Sequence, residues 1–598
     1  MSAPRFHFTV DCREPGHHVY HMTLQIGDLP PGRHTLTLPV WTPGAYEVQD
    51  FARHVFNLAM QSDAGKVLEL YHVKKNQWSF DTYVQGSTTL TYDVYAFELG
   101  VDTSHLDQSH AYFNGAQLFF LVDDYKDLPI DVTIQTPIDW HVSTGLDRVD
   151  NAPNQYRARN YDILIDSPAE IGTHQIVTFE VEQKRHELAV WGHGNEDLNT
   201  LAADLKKIVA VQAHLFGGLP YDHYTFILHL SDQGTGGLEH LNSTTCGTQR
   251  FAYKSRKKYR RVLQLFSHEF FHLWNVKRIH PEMLGPFDYN HEVYTHLLWA
   301  MEGFTDYFAT QALRLSGLFS PEEYLDNLAD HIKAYEKKPG RLVQSLAESS
   351  FDSWIKLYKP DADSPNRTIS YYLKGDLVGM CLDLEIRRRT KTQFGLDEVL
   401  RRLYDRYGSQ GVGFPESVYQ ETVEEVAESS FEDFFKNYIE GTAPVPFEQF
   451  LGYAGLVLQR QYANPDRDED HDESVKKQTN PVAWLGIDSE IVHGHALHVK
   501  HVYTPGPAAD RLNPGDQILA INGFQVTTQD SLKERITQDY SVGDTVDITL
   551  FRRGELETAS IVLAPQPADT YKIVPMTERD DAQKKLCEIW LGQGFPEN

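Results

Sequence analysis

The chain has 598 residues, a formal net charge of -29 at pH 7 and 41% hydrophobic residues. This length is enough for three or four domains with separate cores, and the composition indicates globular domains rather than disorder. Because no basic stripe offsets the negative charge, the sequence excludes nucleic acid and anionic membrane surfaces as expected partners.

The cysteines and the amino terminus bear on the expected compartment. Cys12, Cys246, Cys381 and Cys587 are scattered without short paired spacing, which argues against a disulfide framework and against a cysteine zinc site. Residues 1–7 lack the apolar core of a signal peptide, and no apolar run reaches the 18 residues of a membrane span. We expect a cytoplasmic protein without membrane insertion, or a periplasmic one only if an upstream leader was removed.

Residues 1–186 carry the signals of strands. Several runs are rich in β-branched and apolar residues, partly alternate with polar ones, and are separated by Pro-Gly and Asn-Gly turns, as at residues 18–25, 34–40, 88–96 and 176–181. The pattern predicts an N-terminal β-sandwich-like domain. Its most distinctive segment, Trp41–Tyr46, is either a plain turn between strands or one wall of a cleft.

Residues 187–460 have a different texture. A helix is predicted at 198–215 and a strand at 224–230, and helices are predicted at 293–313, 321–335, 371–389, 396–407 and 416–439. After the strand at 224–230, Gly234–His240 is a glycine-rich turn that leads into a short extended segment and presents one carboxylate, Glu239. We predict an α/β part followed by a helical part.

The most informative motif is His268-Glu269-Phe270-Phe271-His272, within a predicted apolar helix that spans 259–279. Two histidines four residues apart lie on one helical face, where both imidazoles can bind a single zinc ion. Glu269 then lies beside the metal as a general base for its water molecule. The alternative is a helix with two surface histidines and no metal.

A hydrolytic zinc site needs a third protein ligand and an open position. Two carboxylates compete, because Glu292 follows His272 by 20 positions, as in thermolysin-like enzymes, and Glu302 follows it by 30. Asp306, one helical turn after Glu302, is expected either to accept a hydrogen bond from a zinc-bound imidazole or to be an exposed helix acid.

Together, Gly236-Gly237-Leu238-Glu239-His240, His268–Arg278 and Trp299-x-x-Glu302-Gly303-Phe304 resemble the glycyl aminopeptidase family, gluzincins related to aminopeptidase N. The resemblance covers nearly the whole chain. It implies a thermolysin-like catalytic domain, Glu302 as the third zinc ligand, one zinc per chain, and a substrate-binding segment at Gly236, Gly237 and Glu239. The corresponding motif of aminopeptidase N reads Gly-x-Met-Glu-Asn, so Leu238 and His240 depart from it, but the carboxylate that receives the substrate ammonium is retained.

A further segment, Tyr372-Leu373-Lys374-Gly375, is similar to the Tyr-x-Lys-Gly segment of aminopeptidase N. The resemblance implies that Tyr372 donates a hydrogen bond to the oxyanion of the transition state. Tyr371 is the neighbouring alternative, and both tyrosines could instead serve only in helix packing.

The carboxyl-terminal part is divided by composition and by a second resemblance. Residues 461–480 form an acidic, apolar-poor linker, and 567–598 are predicted to be a tail. Residues 481–566 resemble a PDZ domain through segments 484–487, 506–509 and 515–523. Such domains bind extended peptides, so a peptide ligand of this module is an expected partner beside the peptide substrate.

The sequence therefore predicts a multidomain α+β protein with an N-terminal β-sandwich-like domain, a zinc catalytic domain with a helical second half, and a PDZ domain. The predicted function is a zinc aminopeptidase that removes small N-terminal residues such as Gly or Ala by Glu269-assisted attack of a zinc-bound water. The alternatives are a zinc endopeptidase and a PDZ adaptor with an inactive peptidase body.

Overall fold

The computed structural model describes residues 3–462, 481–494 and 496–592, so the expected acidic linker at 461–480 falls almost wholly outside the described residues. Contacts divide the chain into two units. Unit 1 comprises Met1–Thr295, Phe308–Phe319 and Leu400–Tyr419, and unit 2 comprises His296–Tyr307, Ser320–Val399 and Gln420–Asn598.

The first part of unit 1 is β-rich, as the sequence predicts. Its elements are β1 (Arg5–Asp11), β2 (Val19–Leu29), β3 (Gly32–Thr37), β4 (Val55–Ser62), β5 (Val67–Leu68), β6 (Tyr71–Lys74), β7 (Gln77–Thr82), β8 (Gly86–Tyr95), β9 (His105–Leu106), β10 (His110–Phe113), α1 (Gly115–Leu118), β11 (Leu121–Val122), β12 (Ile130–Gln135), β13 (His141–Thr144), β14 (Asp147–Arg148), β15 (Gln155–Ala158), α2 (Tyr161–Ile165) and β16 (Ala169–Gly172). One sheet has the order β14-β15-β12-β1-β2-β8-β4-β5, and two smaller sheets have the orders β13-β16-β10-β9 and β11-β3-β7-β6. Alternate residues of β2 and β8 enter the core, which is the period expected of strands with one buried face.

The second part of unit 1 carries the sheet that leads to the predicted site. Its elements are β17 (Gln175–Val181), β18 (Lys184–Trp191), α3 (Leu198–Phe216), β19 (His223–Ser231), β20 (Gly236–Glu239), β21 (Ser243–Gln249) and α4 (Arg256–Phe271). The strand order is β17-β18-β19-β21-β20. The expected domain boundary at residue 186 lies inside β18, which pairs with both β17 and β19. The hairpin turn between β17 and β18 explains the difference, because strand signals alone do not say which sheet a strand joins.

A buried histidine cluster connects β10, β16 and β19 within unit 1. The Glu170 carboxylate accepts hydrogen bonds from His110 Nδ1 and His229 Nε2, each at 2.9 Å, and His174 Nδ1 lies 4.0 Å from it. All four side chains are at most 1% exposed. Burial lowers the pKa of His174 to about 4. Burial alone would raise the pKa of Glu170, but His110 and His229 hold it at about 2. The cluster therefore places one ionised carboxylate among buried imidazoles.

After α4 the chain is mainly helical. The elements are a π-helical turn (Trp299–Gly303), α5 (Phe304–Leu315), α6 (Pro321–Glu336), α7 (Leu346–Phe351), α8 (Ser364–Arg367), α9 (Tyr371–Arg389), α10 (Leu396–Arg406), α11 (Ser417–Ala427), α12 (Glu432–Phe434), a second π-helical turn (Phe435–Ile439) and α13 (Phe447–Tyr453). The zinc-motif helix ends at Phe271 rather than at 279, and residues 293–297, expected to start the helix at 293–313, have no regular structure.

The last part of unit 2 contains the PDZ module and the end of the chain. Its elements are β22 (Leu456–Gln461), β23 (Ala483–Trp484), β24 (Ile487–Val492), β25 (Ala496–Val502), β26 (Gln517–Ile521), β27 (Phe524–Gln525), α14 (Gln529–Glu534), β28 (Thr545–Arg552), β29 (Glu555–Val562), β30 (Ala564–Pro565), β31 (Thr570–Pro575) and α15 (Asp581–Leu591).

The predicted tail at 567–598 is structured in its described part. β31 pairs with β22, which precedes the PDZ module, and α15 places the Trp590 side chain in the core, where its Nε1 donates to the Tyr307 hydroxyl at 2.9 Å. Among the described residues, none of the helices is long and apolar enough to cross a bilayer.

Candidate active site

The two motif histidines converge at the end of α4. The Nε2 atoms of His268 and His272 lie 2.9 Å apart, and the rings are edge to face. His272 Nδ1 lies 2.7 Å from the carbonyl oxygen of Asn275. Because a carbonyl only accepts, His272 Nδ1 carries the proton, so Nε2 presents its lone pair toward His268. Two imidazole nitrogens that approach one point fit a zinc ion, for which imidazole nitrogen is a common ligand.

Glu269 lies beside this pair because of a glycine on the neighbouring strand. A Cβ atom on Gly237 would stand 2.2 Å from Glu269 Oε1 and 2.6 Å from its Cγ. The edge strand β20 can therefore approach α4 this closely only with glycine at position 237. Glu269 is only 4% exposed. The predicted base is thus held in a close contact between β20 and α4.

Glu239 is the last residue of β20, and its carboxylate lies near Glu269 and His272. One oxygen of Glu239, one of Glu269 and a nitrogen of His272 lie within 4.8 Å of one another. Glu239 is 4% exposed, and in the described part of the chain its carboxylate has no hydrogen-bond or ion-pair partner. A nearly buried carboxylate without a partner is costly in an apolar surrounding. This arrangement is suited to a positively charged ligand.

The Trp41–Tyr46 turn forms a wall against Glu239. Gly44 has a φ of +96°, and a Cβ atom there would stand 2.6 Å from Leu238 Cδ1 and 2.8 Å from Glu239 Oε1. No methyl group fits between the turn and the carboxylate. Of the two sequence interpretations of this segment, the structure therefore favours the wall.

Asp166, at the end of α2, is a residue that the sequence did not single out. It accepts from Lys277 Nζ at 2.7 Å, from the Leu241 backbone amide at 2.8 Å, and lies 3.1 Å from His240 Nδ1. Burial alone would raise the pKa of Asp166, but Lys277 and His240 keep it below its usual range. Asp166 thus ties the segment after the zinc motif to the segment after Glu239. The signal that could have found it is weak, because a lone acid after a short helix is common.

Glu302 belongs to unit 2 and lies on the π-helical turn, where it is 1% exposed. The turn packs on α9 through two glycines, since a Cβ atom on Gly303 would stand 2.4 Å from Gly375 Cα, and one on Gly375 would stand 2.6 Å from the Trp299 carbonyl oxygen. Single π-helical turns are frequent at functional sites. The glycines that follow Glu302 and Lys374 in their motifs thus permit this backbone contact.

Tyr372 lies at the start of α9, close to Glu302 within unit 2. Burial and the Glu302 carboxylate raise the pKa of the Tyr372 hydroxyl, which lies 3.1 Å from the Tyr358 hydroxyl. Tyr371 is fully buried, whereas Tyr372 is partly exposed. The exposed member of the pair is the one that can meet a substrate.

Asp306 is half-buried on α5, one turn after Glu302. Within unit 2 its carboxylate acts on His331, whose Nδ1 lies 2.6 Å from Asp376 Oδ2. Burial alone would lower the pKa of His331, but Asp376 and Asp306 raise it. Asp306 is therefore part of a charged network that includes α6 and α9.

Models of known families match three parts of the chain. The Peptidase M61 N-terminal domain matches residues 7–173, the M61 glycyl aminopeptidase model matches 261–378, and the PDZ domain model matches 483–563. No curated protein matches the chain.

Solved structures extend this finding to the full length. A crystal structure described as an aminopeptidase N family protein from Idiomarina loihiensis is 31% identical, has a TM-score of 0.89, and the match covers 98% of this chain and 100% of that one. An M1 zinc metallopeptidase from Deinococcus radiodurans is 15% identical with a TM-score of 0.47, covering 74% and 94% of the two chains. Yeast LTA4 hydrolase in complex with bestatin is 12% identical with a TM-score of 0.44, covering 74% and 69%. With these matches and the motif histidines in place, the chain belongs to the M61 glycyl aminopeptidase family of metallo-aminopeptidases and carries a PDZ domain.

Proposed function

We propose that the protein is a zinc-dependent aminopeptidase that removes small N-terminal residues, such as Gly or Ala, from peptides. Glu239 carries this proposal. Its carboxylate is 4% exposed, lies beside Glu269 and His272, and has no partner of its own among the described residues. A peptide's free ammonium group supplies the missing partner, which limits cleavage to the first peptide bond.

The Glu239 interaction is large enough to decide the substrate class. Charge-assisted hydrogen bonds are worth about 1.5–3 kcal/mol, which corresponds to roughly 10- to 150-fold in rate. Glu239 and Glu269 also place two carboxylates close together. A substrate ammonium group bound beside these two carboxylates reduces their mutual repulsion. An acetylated N-terminus carries no charge and does not.

The proposed metal site holds one zinc per chain on His268, His272 and Glu302. The converging Nε2 atoms support the first two ligands, and the burial of Glu302 on its π-helical turn supports the third. The alternative acid, Glu292, lies in an irregular segment rather than on a helix. When bound, zinc acidifies a water molecule and polarises the scissile carbonyl group.

The chain's own residues then have separate tasks. Glu269 takes the proton of the attacking water and returns it to the leaving amine. The Tyr372 hydroxyl donates a hydrogen bond to the oxyanion as it forms. Asp306 accepts a hydrogen bond from a ligating imidazole and fixes its tautomer. Gly236 and Gly237 keep β20 extended and close to the substrate backbone.

The preference for small residues is supported by the Gly44 wall. The turn leaves no room for an added methyl group against Leu238 and Glu239. On the side of the Gly44 turn, the space beside the substrate ammonium is therefore bounded by backbone. A large side chain on the first residue of the peptide does not fit on that side, whereas Gly or Ala needs little room there.

The test compares free-amino and N-acetylated forms of one peptide, with and without a chelator. We expect chelator-sensitive removal of the first residue from the free form only. Glu239→Gln should lower kcat/KM on alanine anilide by about 10- to 150-fold with zinc content unchanged. Internal cleavage of both forms at similar rates would establish an endopeptidase instead, and no hydrolysis of either form would favour the adaptor.

The ligand assignment has its own readout in elemental analysis. Wild-type protein should contain about one zinc per chain. Glu302→Gln should lose it and Glu292→Gln should keep it. The reverse pattern would show that Glu292 is the third ligand.

A further inference from the structure

The PDZ module of unit 2 has a groove between β24 and α14. β24 is the outermost strand of its sheet and pairs on one side with β25. Buried Leu485, Leu532 and Ile536 supply apolar side chains at the groove. Strand addition to such an edge is the general property of this fold. A second wall of the groove does not belong to the PDZ module.

The groove is part of a cavity of about 1100 Å³ that the helical part of unit 2 also lines. Lys337, just after α6, lies 3.0 Å from Asp488 on β24 and over the ring of Tyr503. Asn366 fastens the module to α8, because its side chain donates to the Val502 carbonyl and accepts from the Thr504 amide. The groove thus has a PDZ wall and a helical wall within one unit.

The combined lining is positively charged in a chain whose net charge is -29. The cations are Lys333, Lys337, Arg341, Arg460 and Lys533, and the acids are Glu336, Asp488 and Asp569. Lys337 pairs with Asp488, and Arg460 pairs with Glu336 at 2.6 Å. This leaves Lys333, Arg341 and Lys533 against one acid of the lining, Asp569.

Two acids outside the lining contact its cations. Glu448 is a second partner of Arg460, but its side chain is 54% exposed, so this ion pair is weak. Asp330 lies 3.5 Å from Lys333, but its side chain is 70% exposed, so this ion pair is weak. The excess of positive charge therefore faces the groove, and two of its three members, Lys333 and Arg341, come from the helical wall.

A side chain occupies the position that a docked strand would use. The Gln529 amide, at the start of α14, donates to the Ser489 carbonyl on β24. A strand that adds to β24 needs that carbonyl for its own backbone N–H. Gln529 therefore has to be displaced when a ligand binds.

We propose that this groove binds the extended carboxyl-terminal segment of a partner polypeptide that ends in an apolar residue preceded by acidic residues. The apolar side chain contacts Leu485, Leu532 and Ile536, and the terminal carboxylate meets the backbone amides of residues 485–487. Lys333 and Arg341 select the acidic side chains that point away from the PDZ wall. This inference does not depend on the peptidase activity.

The test uses the full chain and fluorescent octapeptides whose blocked N-termini prevent removal of the first residue. One peptide has four glutamates before a terminal valine, a second has four lysines there, and a third is the glutamate peptide with an amidated C-terminus. By fluorescence anisotropy, the glutamate peptide should bind about 5- to 10-fold more tightly than the lysine peptide, as expected for two partly exposed ion pairs. Amidation should abolish most of the binding.

The variants separate the two walls. Lys333→Gln with Arg341→Gln should remove the preference for glutamate, whereas Lys206→Gln with Lys207→Gln, on the exposed face of α3, removes the same charge and should leave it intact. Gln529→Ala should tighten binding of both free-carboxylate peptides. Thermal unfolding midpoints equal to wild type establish that the variants are folded.

Three outcomes would overturn the proposal. Equal binding of the glutamate and lysine peptides, or an unchanged preference in the Lys333/Arg341 variant, would show that the helical wall selects nothing. Equal binding of the amidated peptide would show that the ligand is not a carboxyl terminus. Failure of all three peptides to bind, in Gln529→Ala as well as in wild type, would show that the groove is closed.

Discussion

Replacement of Gly237 by alanine tests the geometry on which the proposed base depends. The added Cβ would stand 2.2, 2.3 and 2.6 Å from Oε1, Cδ and Cγ of Glu269. Ordinary contacts between such atoms are 3.4–4 Å, so the Glu269 carboxylate has to move by about 1 Å or more. A displacement of about 1 Å in a catalytic group costs on the order of 100-fold in rate, or about 2.7 kcal/mol.

The assay is kcat/KM on alanine anilide together with zinc content. Gly237→Ala should lose about 100-fold in kcat/KM and keep its zinc, because the three atoms nearest to the added methyl group all belong to Glu269, which is not a proposed metal ligand. Glu269→Gln should lose more, and adding Gly237→Ala to it should cost little further, since both changes act through one side chain.

The matched control is Gly27→Ala on β2. Its nearest neighbours would be side-chain atoms of Arg5 at 3.5 Å, an ordinary contact, so its rate should equal that of wild type. A Gly237→Ala enzyme with near-normal kcat/KM would refute the reasoning, because Glu269 would then act from another position or would not be the base. Loss of zinc would instead show that β20 supports the metal ligands.

The remaining predictions concern the oxyanion donor and the response to acid. Tyr372→Phe should lower kcat by on the order of 100-fold without unfolding the protein, whereas Tyr371→Phe should change stability more than rate; the opposite pattern in steady-state kinetics would reverse the assignment. The pKa of His174 is about 4 in the folded protein and about 6.5 in the unfolded chain. Between these two values the unfolded chain binds more protons than the folded protein, so the free energy of unfolding falls as the pH falls. The midpoint of urea unfolding should therefore decrease from pH 6.5 to 4. Glu170, whose pKa in the folded protein is about 2, continues this loss of stability below pH 4.5, because there too the unfolded chain binds more protons. His174→Gln should flatten the upper part of this dependence, while His17→Gln, whose side chain is 74% exposed, should not.

The sequence alone determined the features that depend on short spacing. The four-residue interval between His268 and His272 requires one helical face, and the structure brings their Nε2 atoms to 2.9 Å. The limits of α9 also follow the prediction, because no proline interrupts its apolar pattern before Arg389, and the helix tolerates Gly375 and Gly379. Likewise, the family resemblance and the PDZ module rest on local motifs and are confirmed by the matched models.

Only the tertiary structure decided how distant segments meet. Asp166 joins Lys277 to His240 across more than 70 positions of sequence, and no local pattern encodes such a contact. The backbone contact of Gly303 with Gly375 appears in the sequence only as two separate glycines. The segment predicted as a tail supplies β31 and Trp590, because its strand and its apolar helix face find partners far away in the chain. The spacing of residues along a helix fixes which side chains share a face. Contacts between distant segments depend instead on which buried surfaces complement each other once the whole chain has folded.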